Sequence, residues 1–197
     1  MKFVVGLTGQ TGAGKSSLCT TATEFGFYVI DCDSVAHTVQ QRAEVKKVLC
    51  EAFGNGILLC DGTLDRKALA KAAFSSKAQT ELLNKTILPF ILSEIENIIA
   101  NTKEEYILLD APTLFESGAN KLCDKTIGVI AECENRYNRI VKRDNLTDEQ
   151  AKRRIAAGKP DSFYNKKCDY VLTNNGTEVE FINNFKILIK DILGGKV

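Results

Sequence analysis

The sequence predicts an α/β fold, a parallel five-stranded sheet covered by helices on both faces, with an all-helical insertion between the second and third strands. Three observations predict it. Short apolar runs alternate with segments of helical periodicity, the pattern of a parallel sheet with crossover helices. The first run, Phe3-Val4-Val5-Gly6-Leu7, leads into Gly9-Gln10-Thr11-Gly12-Ala13-Gly14-Lys15-Ser16. This is a G-x-x-x-x-G-K-[ST] loop, which works only with a strand before it and a helix after it. From Gln41 to Asn101 the apolar residues recur at helical spacing alone, which sets that stretch apart from the strands on either side.

Each element follows in order. Lys2 to Leu7 reads as a buried strand, and Ser16 to Phe25 as a helix stopped by Gly26 at its C′ position. Phe27-Tyr28-Val29-Ile30 forms a second strand ending at Asp31-Cys32-Asp33, and Ser34 opens the next helical pattern. The insertion carries Val45, Leu49 and Phe53, then Leu69 and Ala73, then Ile87, Ile91, Ile95 and Ile98, with turn chemistry at Gly54-Asn55-Gly56 and Asp61-Gly62. Pro89 is expected to kink its helix. Tyr106-Ile107-Leu108-Leu109-Asp110 is apolar until its last residue, as a central parallel strand is. Lys125 to Ala131 supplies the fourth strand. Arg136 to Arg154 is a basic helical region broken near Asn145 and restarted by the capping box Thr147-Asp148-Glu149-Gln150. Tyr170 to Thr173 is the fifth strand, Asn174-Asn175-Gly176 a turn, and Glu178 to Leu193 an amphipathic closing helix.

Composition excludes several classes of function. The 197 residues suit one main core with appendages. Twenty-six basic and 25 acidic residues nearly cancel, so there is no general attraction for nucleic acid or anionic membranes. Seven cysteines, with no C-x-x-C pair and a single histidine, His37, at no ligand spacing, read as reduced thiols of a cytoplasmic protein rather than as a metal site. The N-terminal apolar stretch is too short for a signal peptide, and no run approaches the roughly 18 apolar residues of a membrane span.

The chemistry gathers at the carboxyl ends of the strands, where open α/β sheets bind ligands. Gly12, Ala13, Gly14, Lys15, Ser16 and Ser17 form the phosphate cradle, with Lys15 reaching the β- and γ-phosphates and the Ser16 hydroxyl ligating Mg²⁺. Asp110 ends its strand as a Walker-B acid does and can order the water shell of Mg²⁺, or it is a loop carboxylate. Asp33 can orient or deprotonate an attacking hydroxyl, or cap the helix that follows it. Arg136, Arg139, Lys142 and Arg143 recur at spacings of three and four along one helical face. That face is either solvated or an arginine lid over a nucleotide, with Arg139 and Arg143 its best members. His37 reads as an exposed helix residue.

The phosphate loop, Ile30-Asp31-Cys32-Asp33-Ser34-Val35-Ala36, Phe53-Gly54, Asp61-Gly62-Thr63-Leu64-Asp65-Arg66, Asp110-Ala111-Pro112-Thr113-Leu114-Phe115-Glu116 and Thr173-Asn174-Asn175-Gly176 together resemble the dephospho-coenzyme A kinase family, in order and spacing, over essentially the whole chain. The resemblance implies a P-loop kinase three-layer fold. Its nucleotide-binding core would comprise residues 1–40, 104–135 and 168–197, its helical substrate domain 41–103, and its lid 136–167. It implies transfer of the ATP γ-phosphate to the ribose 3′-hydroxyl of dephospho-CoA, with ATP and Mg²⁺ required, by a cytoplasmic monomer that takes a small-molecule substrate and neither nucleic acid nor membrane. Catalytic roles fall on Lys15, Asp33 and Arg143, nucleotide contacts on the loop with Arg139 and Arg143, substrate contacts on Asp33, Arg66, Asp110 and Pro112, and metal contacts on Ser16 and Asp110. The chain departs from the pattern at Gln10-Thr11-Gly12, where Gly-Ile-Gly is usual, at Leu88 before Pro89, where a histidine is common, and at Arg136 and Gly158, where lid glutamines fall.

Other readings are a kinase of another nucleoside or nucleotide hydroxyl, an inactive binding paralogue, and a guanine-nucleotide switch. The switch lacks its base-reading motif. Asn165-Lys166-Lys167-Cys168-Asp169 has one residue too many for N-K-x-D, and the D-x-x-G at Asp191-Ile192-Leu193-Gly194 does not follow the acid-ending strand.

Overall fold

A computed structural model describes residues 2–194; residue 1 and residues 195–197, at the ends of the expected core segments, lie outside the described residues. In chain order the elements are β1 (Phe3–Gly9), α1 (Lys15–Glu24), β2 (Phe27–Asp31), α2 (Cys32–Gln40), α3 (Ala43–Phe53), α4 (Arg66–Ala73), α5 (Lys77–Asn101), β3 (Tyr106–Asp110), β4 (Lys125–Ile130), α6 (Cys133–Asp144), α7 (Asp148–Ala156), α8 (Asp161–Lys167), β5 (Tyr170–Thr173) and α9 (Glu178–Ile192). Packing divides them into two units, Met1–Ile30 with Lys103–Val197, and Asp31–Thr102. The helical unit starts ahead of the change of period at Gln41, because α2 packs on α5.

The five strands run in the order β2-β3-β1-β4-β5. β1 pairs in parallel with β3 and β4, and β4 in parallel with β5. β1 extends two residues beyond the expected Leu7, because Thr8 and Gly9 keep their register with Gly128 and Val129 of β4. The two faces of the sheet differ. Val5, Leu7, Ile127 and Val129 pack with Leu108 beneath Leu18 and Ala22 of α1 and Phe181, Phe185 and Ile189 of α9. The alternate positions, Gly6, Thr8, Thr126 and Gly128, are small. A Cβ on Gly6 would lie 2.8 Å from the Cys123 sulfur, and one on Gly128 2.8 Å from that of Cys168. Both cysteines therefore fill the space that glycine leaves, and burial pushes their thiols up to about 12 and about 11, so they stay protonated and inert.

Helix boundaries follow their caps. α1 ends at Glu24, and Gly26 at φ 76° turns the chain into β2. α2 begins at Cys32, ahead of the expected Ser34, because Oδ1 of Asp31 accepts the backbone N–H groups of Asp33 and Ser34 at 2.9 and 3.2 Å. α6 ends at Asn145, held at φ 50°, and the capping box of Thr147 and Gln150 starts α7 as expected. A second box, Thr177 with Glu180, starts α9. In the helical unit, Val45, Leu49, Ile57, Leu64, Leu69 and Ala73 are buried together with Ile87, Ile91 and Ile95 along one face of α5. α5 is helical straight through Pro89.

Asp169 ties β5 to β4. Its Oδ2 accepts from the Thr126 N–H at 2.8 Å and hydroxyl at 2.6 Å, while its own N–H donates to that hydroxyl at 3.0 Å. The Thr126 hydroxyl, then its N–H, hold the carboxyl below its usual range. A lowered folded pKa contributes stability that is present above the unfolded value and lost as pH falls through the folded one. Asp169→Asn is expected to cost about 1 kcal/mol at neutral pH, allowing for solvent screening. That deficit should shrink in urea titrations as pH falls through the lowered folded pKa of Asp169; a pH-independent deficit would refute the ionic account.

Candidate active site

The phosphate loop leaves β1 at Gly9 and enters α1 at Lys15, so the first-turn N–H groups of α1 have no helical partners upstream. No side chain caps this terminus, which leaves its positive end for an anion. Gly12 and Gly14 sit at φ 79° and 106°. A Cβ on Gly12 would lie 2.7 Å from the Arg136 carbonyl oxygen and 2.8 Å from Cγ2 of Ile140, and one on Gly14 would collide with the Asn174 amide. Both conformation and space therefore demand glycine.

The loop is gripped from its outer side. Nδ2 of Asn174 donates to the Ala13 carbonyl at 2.8 Å, and Nη1 of Arg139 to the Gly12 carbonyl at 3.4 Å. Nη2 of Arg139 also reaches the Asn174 carbonyl and Oδ1, both at 3.1 Å. Because the C=O and N–H bonds of a trans peptide point in opposite directions, holding the Ala13 carbonyl on the Asn174 side turns the Gly14 N–H the other way. Asn174 is 6% exposed. In the sequence Asn174 stands in a turn and in one of the motifs that carry the family resemblance, and nothing in its local pattern marks it as a partner of a residue 161 positions away.

Among the other expected residues of this unit, Ser16 is exposed at the start of α1, whereas the Ser17 hydroxyl donates to Oε1 of Glu178 at 2.9 Å. Ser17 is thus left its backbone N–H for a phosphate. Asp110 ends β3 in register with Leu7, and its Oδ2 lies 3.4 Å from the thiol of Cys19, one turn past Ser16 on α1. Its carboxylate therefore lies beside α1, the helix whose first turn carries Ser16. Pro112 is exposed, and its carbonyl accepts the Thr8 hydroxyl at 3.1 Å. Among the described residues no group of three His, Cys, Asp or Glu side chains could hold a metal ion. One hydroxyl and one carboxylate suit Mg²⁺, which takes its remaining ligands from phosphate and water.

The basic face of α6 does not act as one surface. Arg136 is 8% exposed, and its Nε donates to the Ala131 carbonyl at 2.9 Å. This corrects its place in the expected row of charge, because α6 packs that turn against the loop. Arg139 is half-buried on the loop, while Lys142 and Arg143 are exposed. Arg143 grips Asp144 through two bonds of 2.6 and 2.9 Å, and Arg154 joins the same carboxylate. The Arg143 bond is the main cause that holds Asp144 below the usual carboxylate range, with Arg154 adding to it.

Two expected residues stand in the helical unit. Asp33 is exposed in the first turn of α2, and the capping role falls to Asp31 rather than to Asp33. Arg66 is exposed as the first residue of α4, whose N-cap is Asp65. His37 is exposed on α2, as expected.

The family model described as dephospho-CoA kinase matches residues 3–180. The dephospho-CoA kinase of Fusobacterium nucleatum is 36% identical over 173 residues, covering 88% of this chain and 90% of its own. The solved structure of a dephospho-CoA kinase from Campylobacter jejuni is 26% identical, spans 100% of both chains and superposes with a TM-score of 0.71. A crystal structure from Thermus thermophilus, also 26% identical, gives 0.84 over 100% of this chain and 98% of its own.

Asn174→Ala removes the grip on Ala13 and one partner of Arg139. It is expected to raise KM for ATP by about tenfold, the effect of one lost buried hydrogen bond, with the melting temperature little changed. An unaltered KM in a folded variant would show that the loop holds its shape without Asn174.

Proposed function

This chain belongs to the dephospho-CoA kinase family, and from that premise we propose how its residues divide the work. The reaction is ATP-dependent phosphorylation of the ribose 3′-hydroxyl of dephospho-CoA, giving CoA and ADP, the final step of coenzyme A biosynthesis. The observation that carries this is the family match across 3–180, on a chain whose phosphate loop has the glycine conformations and uncapped helix that the chemistry needs.

In the proposed division, the N–H groups of Gly12, Ala13, Gly14, Lys15, Ser16 and Ser17 hold the nucleotide phosphates. Lys15 follows the γ-phosphate as its charge redistributes in the transition state. Ser16 would ligate Mg²⁺ and Asp110 would order its water shell, and the bound ion would neutralise charge on the phosphate oxygens. The exposed Ser16 hydroxyl and the neighbouring Asp110 support this reading. Asp33 accepts the proton of the 3′-hydroxyl as it attacks. Its exposed place in the first turn of α2, beside the N-cap Asp31, supports that role. Arg66, Asp110 and Pro112 contact the acceptor.

The core, helical substrate domain and lid are proposed at their expected extents, the lid at 136–167 taking in most of α6 together with α7 and α8. Arg139 and Arg143 serve it differently. Arg139 holds the loop and reaches the nucleotide from there, whereas Arg143 must leave Asp144 to meet a phosphate. Arg154 remains on Asp144 when it does, which lowers the cost of the exchange. The enzyme acts as a cytoplasmic monomer, a reading supported by its nearly balanced charge and by the packed thiols of Cys123 and Cys168. Among the described residues no helix is long and apolar enough to cross a membrane.

Purified protein with ATP and Mg²⁺ is expected to release ADP strongly with dephospho-CoA and only weakly with adenosine, AMP, CMP or no acceptor. Stimulation by a nucleotide instead would overturn the substrate, and silence with every acceptor would indicate an inactive paralogue. Asp33→Asn is expected to lower kcat by about a hundredfold or more, the usual worth of a general base, while ATP affinity by calorimetry stays near the parent value. Full turnover would remove Asp33 from the mechanism.

A further inference from the structure

Gln10 stands where the family pattern has glycine, and it is 2% exposed. Its main chain belongs to the loop, with its N–H on the Val129 carbonyl at 2.9 Å and its carbonyl accepting the Ala13 N–H at 3.1 Å. Its carboxamide points elsewhere. Oε1 accepts the Ala131 N–H at 3.1 Å, while Nε2 donates to the Lys159 carbonyl at 3.1 Å and to Oδ1 of Asp161 at 2.8 Å. The amide orientation is fixed chemically, because a backbone N–H must meet the oxygen and two oxygens must meet the nitrogen.

These partners have a common meaning in the chain. Ala131 is the residue between β4 and the start of α6, and Lys159 and Asp161 flank the proline that caps α8. The segment carrying α6 and α7 therefore leaves the sheet at one contact of this carboxamide and returns at the other two. The Ala131 carbonyl also accepts the Arg136 Nε–H, so both peptide units that meet at Ala131 are held at the first root.

We propose that Gln10 is a positioning residue for phosphoryl transfer, a buried staple that fixes both roots of the α6–α7 segment to the phosphate loop and so sets where Arg139 and Arg143 stand. Glycine at this position has no side chain to make these bonds. The inference deepens the lid reading above and rests on it. A staple of this kind acts on nucleotide retention more than on the acceptor, because the arginines it positions serve the phosphates.

The test combines Gln10→Ala, Gln10→Glu and Gln10→Glu with Asp161→Asn, each followed by amide hydrogen exchange and by separate kcat and KM values for ATP and acceptor. Gln10→Glu sets an acceptor against the Lys159 carbonyl and Asp161, and the added Asp161→Asn restores a donor to that contact. The expected result is faster exchange at Ala131 and at residues 156–161, with β1 and β3 still protected. KM for ATP should rise about tenfold or more, KM for the acceptor should stay near its parent value, and the double variant should recover part of the loss. Unchanged exchange, or faster exchange with unchanged kinetics, overturns the inference. Should Gln10→Ala fail to fold, the comparison of Gln10→Glu with its double variant decides, and no recovery refutes the staple. Arg139→Ala and Arg143→Ala separate the two readings. If they raise KM for ATP while the Gln10 variants do not, the staple fails and the lid stands. If they are silent while Gln10→Ala is not, the lid reading falls, and the route through it falls too.

Discussion

The conformation of the phosphate loop is imposed from behind, and the rest of the sheet unit is arranged to do so. A run of glycines free in solution samples many backbone states, and an anion site built from N–H groups works only when they converge before the ligand arrives. Here the Gly12 and Ala13 carbonyls are held by Arg139 and Asn174, and α6 lies so close behind Gly12 that no larger residue fits. Conformational freedom in the sequence thus becomes a single shape in the fold, held by the buried amide of Asn174 and the half-buried guanidinium of Arg139.

That arrangement places structural and functional charge on one short helix. Arg136, Arg139 and Arg143 are close neighbours on α6, yet one serves the backbone at Ala131, one the loop, and one an exposed carboxylate. The gradient follows burial. Where α6 touches the core, an unpaired guanidinium would be expensive and each donor has a fixed acceptor. Toward its C-terminus the charge is solvated and exchangeable. A segment anchored at its roots and polar at its tip is suited to closing over a bound nucleotide.

The sheet shows the same economy. One face buries large aliphatic side chains against α1 and α9, while the other uses glycine and threonine so that two cysteines and Tyr164 can approach the strands. Cys123 and Cys168 are packing residues, each filling the space a glycine leaves on the facing strand. Asp124 and Asp169 add carboxylate bonds to the Val4 and Thr126 N–H groups at the start of β1 and β4.

What the sequence by itself determined is whatever depends on neighbours along the chain. Strand-loop-helix order at Phe3 to Glu24, the acid-ending strand at Asp110, the helical insertion and the capping box at Thr147 all rest on periodicity, turn chemistry or fixed spacing, and all were legible. So was the family, because several short motifs in a set order are far more specific than one loop. Local chemistry left two points to the fold: of the two readings of Asp33 the capping one falls to Asp31, and Arg136, three residues before Arg139 in the basic row, is buried. Only the tertiary structure decided which side chains meet across long separations. Asn174 under Ala13, Gln10 between Ala131 and Asp161, and Cys168 over Gly128 are each joined by parallel strand pairing that brings distant segments side by side. No local pattern encodes such a contact, because the energy that selects it is that of satisfying buried polar groups and filling space after the sheet has formed.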